Sequence, residues 1–105
     1  MSDPMWMLTM FDLPVKTAVQ RRDATEYRKS LVNLGFAMVQ LSVYSKYLPT
    51  AAQSTRLLRL ITYNIPAGGA VRVYRLSDTQ WHGSTVFFGD IEIEPEKEPP
   101  QLFLF

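Results

Sequence analysis

The chain contains no cysteine and a single histidine. A disulfide framework, a thiolate nucleophile and a cysteine-built zinc site are therefore excluded, as is a pair of metal-binding histidines. Glycine is scarce, at five residues, and none forms the spaced cluster that cradles phosphates in nucleotide-binding loops. Long hydrophobic runs are missing as well. The apolar stretch at residues 5–11 is too short for a signal h-region or a membrane span, and Met1-Ser2-Asp3-Pro4 offers no basic n-region. These absences lead to the expectation of a cytoplasmic protein with no membrane partner.

What the chain does have is 105 residues, 47% hydrophobic and 20% charged, a composition suited to one compact domain. A domain of this size buries about 65% of the surface its unfolded chain exposes, so pairing with a second copy would add useful burial. The net charge of +1 hides an asymmetry. Residues 1–89 hold ten Lys and Arg against five Asp and Glu, a charge of +5, while residues 90–98 carry five acids against Lys97, a charge of −4. A basic body hints at a polyanionic partner, because clustered cations gain affinity by releasing counterions from phosphates; an ordinary solvated surface is the plainer alternative.

Residues 5–11, Met5-Trp6-Met7-Leu8-Thr9-Met10-Phe11, read as a strand buried on both faces and broken at Asp12-Leu13-Pro14. From Thr17 to Leu34, the spacing of Ala24, Tyr27, Leu31 and Leu34 predicts an amphipathic helix that stops at Gly35, with Arg21, Arg22, Arg28 and Lys29 off its apolar stripe. Residues 36–44 alternate as one strand, and a second helix follows over 50–63 with Leu57, Leu58, Ile61 and Ile65 on one side. Pro66-Ala67-Gly68-Gly69 turns the chain into a strand over 70–76 that carries Arg72 and Arg75. One helical turn at 78–81 and a last strand at 84–88 complete the order β-α-β-α-β-β. Residues 1–90 are thus expected to form the domain, and 91–105 an acidic linker followed by the apolar end Gln101-Leu102-Phe103-Leu104-Phe105, which must dock because a free run of this kind invites aggregation.

Asp12 is the most informative single residue, since a carboxylate closing an apolar strand must be solvated, paired or bound to a cation. It caps the turn through Leu13-Pro14, pairs with a nearby arginine or serves as a ligand. No second acid stands at a helpful spacing, so a divalent metal could be held economically only by two copies of Asp12 across a dimer axis. His82, next to Trp81 in an expected loop, is either an acid–base group or, more simply, a locally hydrogen-bonded residue. Tyr44, Tyr47, Tyr63 and Tyr74 either stack on bases or pack in the core.

Four ordered segments carry a resemblance: Met7-Leu8-Thr9-Met10-Phe11-Asp12-Leu13-Pro14, Phe36-Ala37-Met38-Val39-Gln40-Leu41-Ser42-Val43-Tyr44-Ser45-Lys46, Val71-Arg72-Val73-Tyr74-Arg75-Leu76 and Val86-Phe87-Phe88-Gly89-Asp90. Together they resemble the CRISPR-associated Cas-two family, in its type II form, over residues 5–90. The resemblance implies an α+β fold, a ferredoxin-like β-α-β-β-α-β sandwich with an added C-terminal strand, forming a homodimer packed through its sheets. It also implies a role in spacer acquisition for antiviral defence, in which the dimer joins the Cas-one integrase and a duplex DNA prespacer lies across the assembly. Lys16, Arg21, Arg22, Arg72 and Arg75 are the nucleic-acid-binding candidates by charge and position. A magnesium-dependent endonuclease activity on RNA or duplex DNA is the alternative it carries. There Asp12 is the catalytic residue and metal ligand, with one Mg2+ shared across the dimer. Tyr44 stands where phenylalanine is common in the family, and the arginines of the first helix depart from its usual placement. A small RNA-recognition module is a third reading, but the adjacent aromatic-rich strand motifs it needs are missing.

Overall fold

The computed structural model describes residues 3–99. Its first strand, β1 (Met5–Asp12), is central, and it is flanked on both sides by antiparallel neighbours. The main sheet has the order β2-β3-β1-β4, with β2 at Ala37–Gln40, β3 at Val43–Leu48 and β4 at Ala70–Ser77. Helix α1 (Ala18–Asn33) links β1 to β2, and α2 (Ser54–Thr62), entered through a short 3-10 turn at Ala51–Gln53, links β3 to β4. This is the ferredoxin-like β-α-β-β-α-β order that the resemblance implies.

Helix α1 forms where its ends are satisfied. Thr17 caps α1 in a capping box with Gln20, its hydroxyl accepting from the Gln20 amide while the Gln20 side chain accepts from Thr17. At the other end Gly35 takes φ +93°, and the amides of Gly35 and Phe36 return to the carbonyls of Val32 and Leu31, which closes the helix in a Schellman turn. The predicted stripes then face the sheet. Ala24, Tyr27 and Leu31 of α1 and Leu57 and Ile61 of α2 bury against Met5, Met7 and Phe11 of β1, with Tyr44 and Leu48 of β3. Phe11 meets Tyr27 edge-on at 5.7 Å and stacks on Tyr44 at 5.5 Å between ring centres.

Three expectations are corrected. The single strand expected over residues 36–44 is a hairpin, because Leu41 and Ser42 form a two-residue turn in which Ser42 adopts φ 61°; alternation continues across such a turn, so periodicity alone does not reveal it. The strand expected at 84–88 does not join the main sheet. Its core, β5 (Val86–Phe88), pairs with β6 (Ile91–Ile93), inside the segment expected to be a linker, as a separate hairpin turned at Gly89. Finally, β1 is buried on both faces only at its start. Met5, Met7, Thr9 and Phe11 are covered by the helices, while on the opposite face Trp6 is buried, Leu8 half-buried and Met10 and Asp12 exposed. The expected docking of residues 101–105 lies outside the described residues.

Tyr27 joins the two helices: its buried hydroxyl donates to the Ile61 carbonyl at 2.7 Å, and burial pushes its pKa from 10.0 up to about 12. The fold favours the neutral phenol, so this contribution is intact below pH 10 and is lost as pH rises from 10 through about 12. Denaturant titrations from pH 9 to 12 should show a fall of about 2–3 kcal/mol in that window that Tyr27→Phe removes. An equal slope in the variant would disprove the assignment. At neutral pH, Tyr27→Phe should cost about 1–3 kcal/mol through the stranded Ile61 carbonyl.

Candidate functional site

The sheet face opposite α1 and α2 and the loop beyond β1 hold most of the residues singled out from the sequence. Asp12 is the last residue of β1, opposite Ala70 of β4. Its side chain is exposed and, among the described residues, neither accepts a hydrogen bond nor forms an ion pair. Neither the turn cap nor the arginine pairing, two of the alternatives for this carboxylate, is made among the described residues. Arg72 stands opposite Met10, one diagonal step from Asp12 on the same face, and Tyr74 follows opposite Leu8. The guanidinium of Arg72 reaches the Tyr74 hydroxyl at 3.5 Å, a contact that raises the arginine pKa above its ordinary value.

The other basic candidates are dispersed. Arg75 stands opposite Met7 and so belongs to the helix-bearing face, away from Arg72. Arg21 is occupied in the β1–α1 loop, where its Nη1 donates to the carbonyls of Val15 at 3.2 Å and Lys16 at 3.1 Å. Lys16 is exposed on that loop, and Arg22 lies 3.6 Å from Asp23. Lys16, Arg21 and Arg22 thus form one group beyond β1, Arg72 stands beside Asp12, and Arg75 is apart. Among the tyrosines, Tyr44 is core, Tyr47 half-buried, and Tyr63 and Tyr74 exposed.

The position of Asp12 is set by backbone on both sides. After it, Leu13 is buried; a Cβ on Gly69, in the turn before β4, would come within 2.7 Å of Leu13 Cδ2 and 3.0 Å of the Pro66 carbonyl oxygen. The bare glycine lets the α2–β4 turn close over Leu13. As a test of metal fit, the chain presents a single carboxylate here, and among the described residues Asp12 belongs to no group of three His, Asp or Glu ligands. A hard six-coordinate cation is not held by one such oxygen, so the site of one chain does not fit Mg2+ without further donors.

A second constellation was not singled out from the sequence. Short helix α3 (Asp78–His82) is capped by Ser77 and Gln80 and docks Trp81 onto Trp6, the rings parallel within 7° at 4.2 Å. The Trp6 indole N–H donates to Asp78 Oδ1 at 2.9 Å, and that of Trp81 donates to the Glu96 carbonyl at 2.8 Å. His82 Nε2 lies 3.3 Å from Asp78 Oδ1 and 3.2 Å from Glu98 Oε2. Burial, then Asp78, then Glu98 raise the pKa of the neighbouring Tyr47. His82 thus ends a helix and is locally hydrogen-bonded, as its simpler reading holds. The i,i+4 spacing of Asp78 and His82 was visible in the sequence; the return of Glu98 from sixteen residues beyond was not.

The β2-β3-β1-β4 sheet with two helices on one face and an exposed carboxylate at the end of its central strand defines a ferredoxin-like α+β protein. The CRISPR associated protein Cas2 family matches residues 5–83, and this chain belongs to that family. It is 40% identical over 101 residues to the CRISPR-associated endoribonuclease Cas2 of Paracidovorax avenae, covering 96% of this chain and 94% of that protein. Proteins of the same name from Flavobacterium psychrophilum and Parvibaculum lavamentivorans are 33% and 34% identical, each over 96% of this chain and 88% and 100% of their own length. No described helix is long and apolar enough to cross a membrane.

Gly69→Ala should destabilise the fold by about 1–3 kcal/mol, as overpacking against Leu13 and the Pro66 carbonyl requires, read as a lower urea midpoint at unchanged m-value. An unchanged midpoint would show that Leu13 yields freely and that the turn does not set the end of β1.

Proposed function

We propose that this protein is a homodimeric scaffold of CRISPR adaptation, acting in the cytoplasm. With the Cas-one integrase it binds a duplex DNA prespacer and supports insertion of new spacers into the array. The observation that carries this reading is family membership joined to a sheet face that α1 and α2 leave open, occupied by α3 at Trp6 but exposed toward Met10 and Asp12. Met10 and Tyr74 lie exposed there beside half-buried Leu8 and Leu76, and the β5–β6 hairpin exposes Phe87, Phe88, Ile91 and Ile93. Apolar surface of this extent favours a second copy. Lys16, Arg22 and Arg72, all exposed, supply cations for phosphates, and contacts with the backbone alone suit a partner whose sequence must not matter.

In this reading the chain contributes position rather than chemistry: guanidinium and ammonium groups neutralise phosphates, and the sheet face holds two copies in register. Binding of duplex DNA by the assembled complex should weaken steeply with salt. Lys16→Ala or Arg72→Ala should lower the log–log salt slope by about 1 for each phosphate that the variant chain leaves unneutralised. Spacer acquisition in cells should survive Asp12→Ala. Failure of acquisition in a variant that still assembles and binds DNA would overturn the scaffold reading.

The name of the relatives, endoribonuclease, favours a second reading together with the free Asp12 carboxylate. Two copies of Asp12 meeting across a dimer axis would hold one Mg2+, which when bound supplies charge stabilisation for phosphodiester cleavage in RNA or duplex DNA. Hydrolysis that persists in Asp12→Asn, or in the presence of a chelator, would rule this mechanism out.

A further inference from the structure

The Asp78–His82–Glu98 constellation gathers two carboxylates around one imidazole nitrogen. One imidazole nitrogen, Nε2, lies 3.3 Å from one carboxylate oxygen and 3.2 Å from another, yet it carries at most one proton to share between two anions. Among the described residues no lysine or arginine pairs with either acid; Lys97, adjacent to Glu98, is 3.6 Å from Glu94 instead. The negative field reaches Tyr47, whose phenol is held above its ordinary value by burial and then by both carboxylates. A bound cation would neutralise both carboxylates at once.

The geometry suits a particular cation. All three ligand atoms lie within 4.8 Å of one another. Donors bound at about 2.1 Å are separated by about 3.0 Å when cis in an octahedron and about 3.4 Å in a tetrahedron, so both nitrogen–oxygen distances already have the length of a coordination edge. One imidazole nitrogen with two carboxylate oxygens is a donor set for a borderline transition metal, whereas magnesium takes oxygen alone. Outer contacts are in place too. The Trp6 indole N–H orients Asp78 Oδ1, and the Trp81 N–H, by holding the Glu96 carbonyl, brings Glu98 back to the helix.

We propose that Asp78, His82 and Glu98 bind one borderline divalent transition-metal ion, of the zinc class, which clips the acidic tail onto α3. The site is separate from Asp12 and does not depend on the scaffold or nuclease reading. The bound ion neutralises both carboxylates and joins two segments sixteen residues apart. Solvent completes the coordination, since all three side chains are partly exposed.

The test uses the untagged full-length chain, stripped with chelator and titrated with zinc chloride, with cobalt chloride as a spectroscopic substitute and magnesium chloride as the control. Calorimetry should give one zinc per chain. His82→Ala and Glu98→Gln, both at exposed positions, should each weaken binding by at least the ~10–100-fold that follows removal of an outer partner, and Asp12→Asn should leave it unchanged. Zinc should also slow tryptic cleavage after Lys97 in the parent chain and not in Glu98→Gln. Absence of zinc binding by the parent chain, magnesium binding as tight as zinc, or equal zinc affinity in parent, His82→Ala and Glu98→Gln would each overturn the proposal. Retained affinity in the two variants with weakened affinity in Asp12→Asn would move the ion to the strand end.

Discussion

Everything else in this fold is placed by the antiparallel ladders on both sides of β1. Because β3 and β4 pair with it residue for residue, its alternation is imposed on the whole sheet. Met5, Met7, Thr9 and Phe11 define the side on which α1 and α2 pack, and Trp6, Leu8, Met10 and Asp12 the side they leave open. A slip of one residue would exchange the two sets, bringing a carboxylate into the core and exposing Met7 and Phe11. The position of Asp12 at the edge of an open face is therefore a consequence of core packing. The carboxylate needs no bond of its own to be held there, and among the described residues it has none.

Helix α1 was legible in the sequence because it combines an apolar stripe with explicit ends: Thr17 and Gln20 open it, Gly35 closes it, and Ala24, Tyr27 and Leu31 face inward. The hairpin at Leu41-Ser42 was hidden because neither residue is a glycine and the alternation runs on through the turn. Strand β6 was hidden by its charge: Ile91-Glu92-Ile93 alternates, but the surrounding glutamates and prolines read as linker. Composition describes what a segment prefers when isolated, and here Phe87, Phe88 and their neighbours supply a pairing partner.

The candidate sites divide in the same way. A strand-end aspartate is marked by local sequence, so Asp12 could be singled out without a structure. Proximity of residues far apart in the chain is not marked, and even near neighbours can part: the pleat sends Arg72 and Arg75 to opposite faces. The approach of Glu98 to His82 is concealed for a further reason, since it depends on Trp81 gripping a backbone carbonyl that any residue would present. Side-chain identity predicts chemistry well only where the backbone between the partners is regular.

The paired indoles have a mechanical meaning as well. Trp6 belongs to the middle strand of the sheet, Trp81 to a short helix, and their stacked rings with two N–H bonds form a continuous link from the tail at Glu96 to β1. Tension applied to the tail by a bound partner would enter the sheet at its centre, where two ladders resist in shear. It would not peel an outer strand away one bond at a time. A tail fastened in this way can act as a handle on the domain without unravelling it.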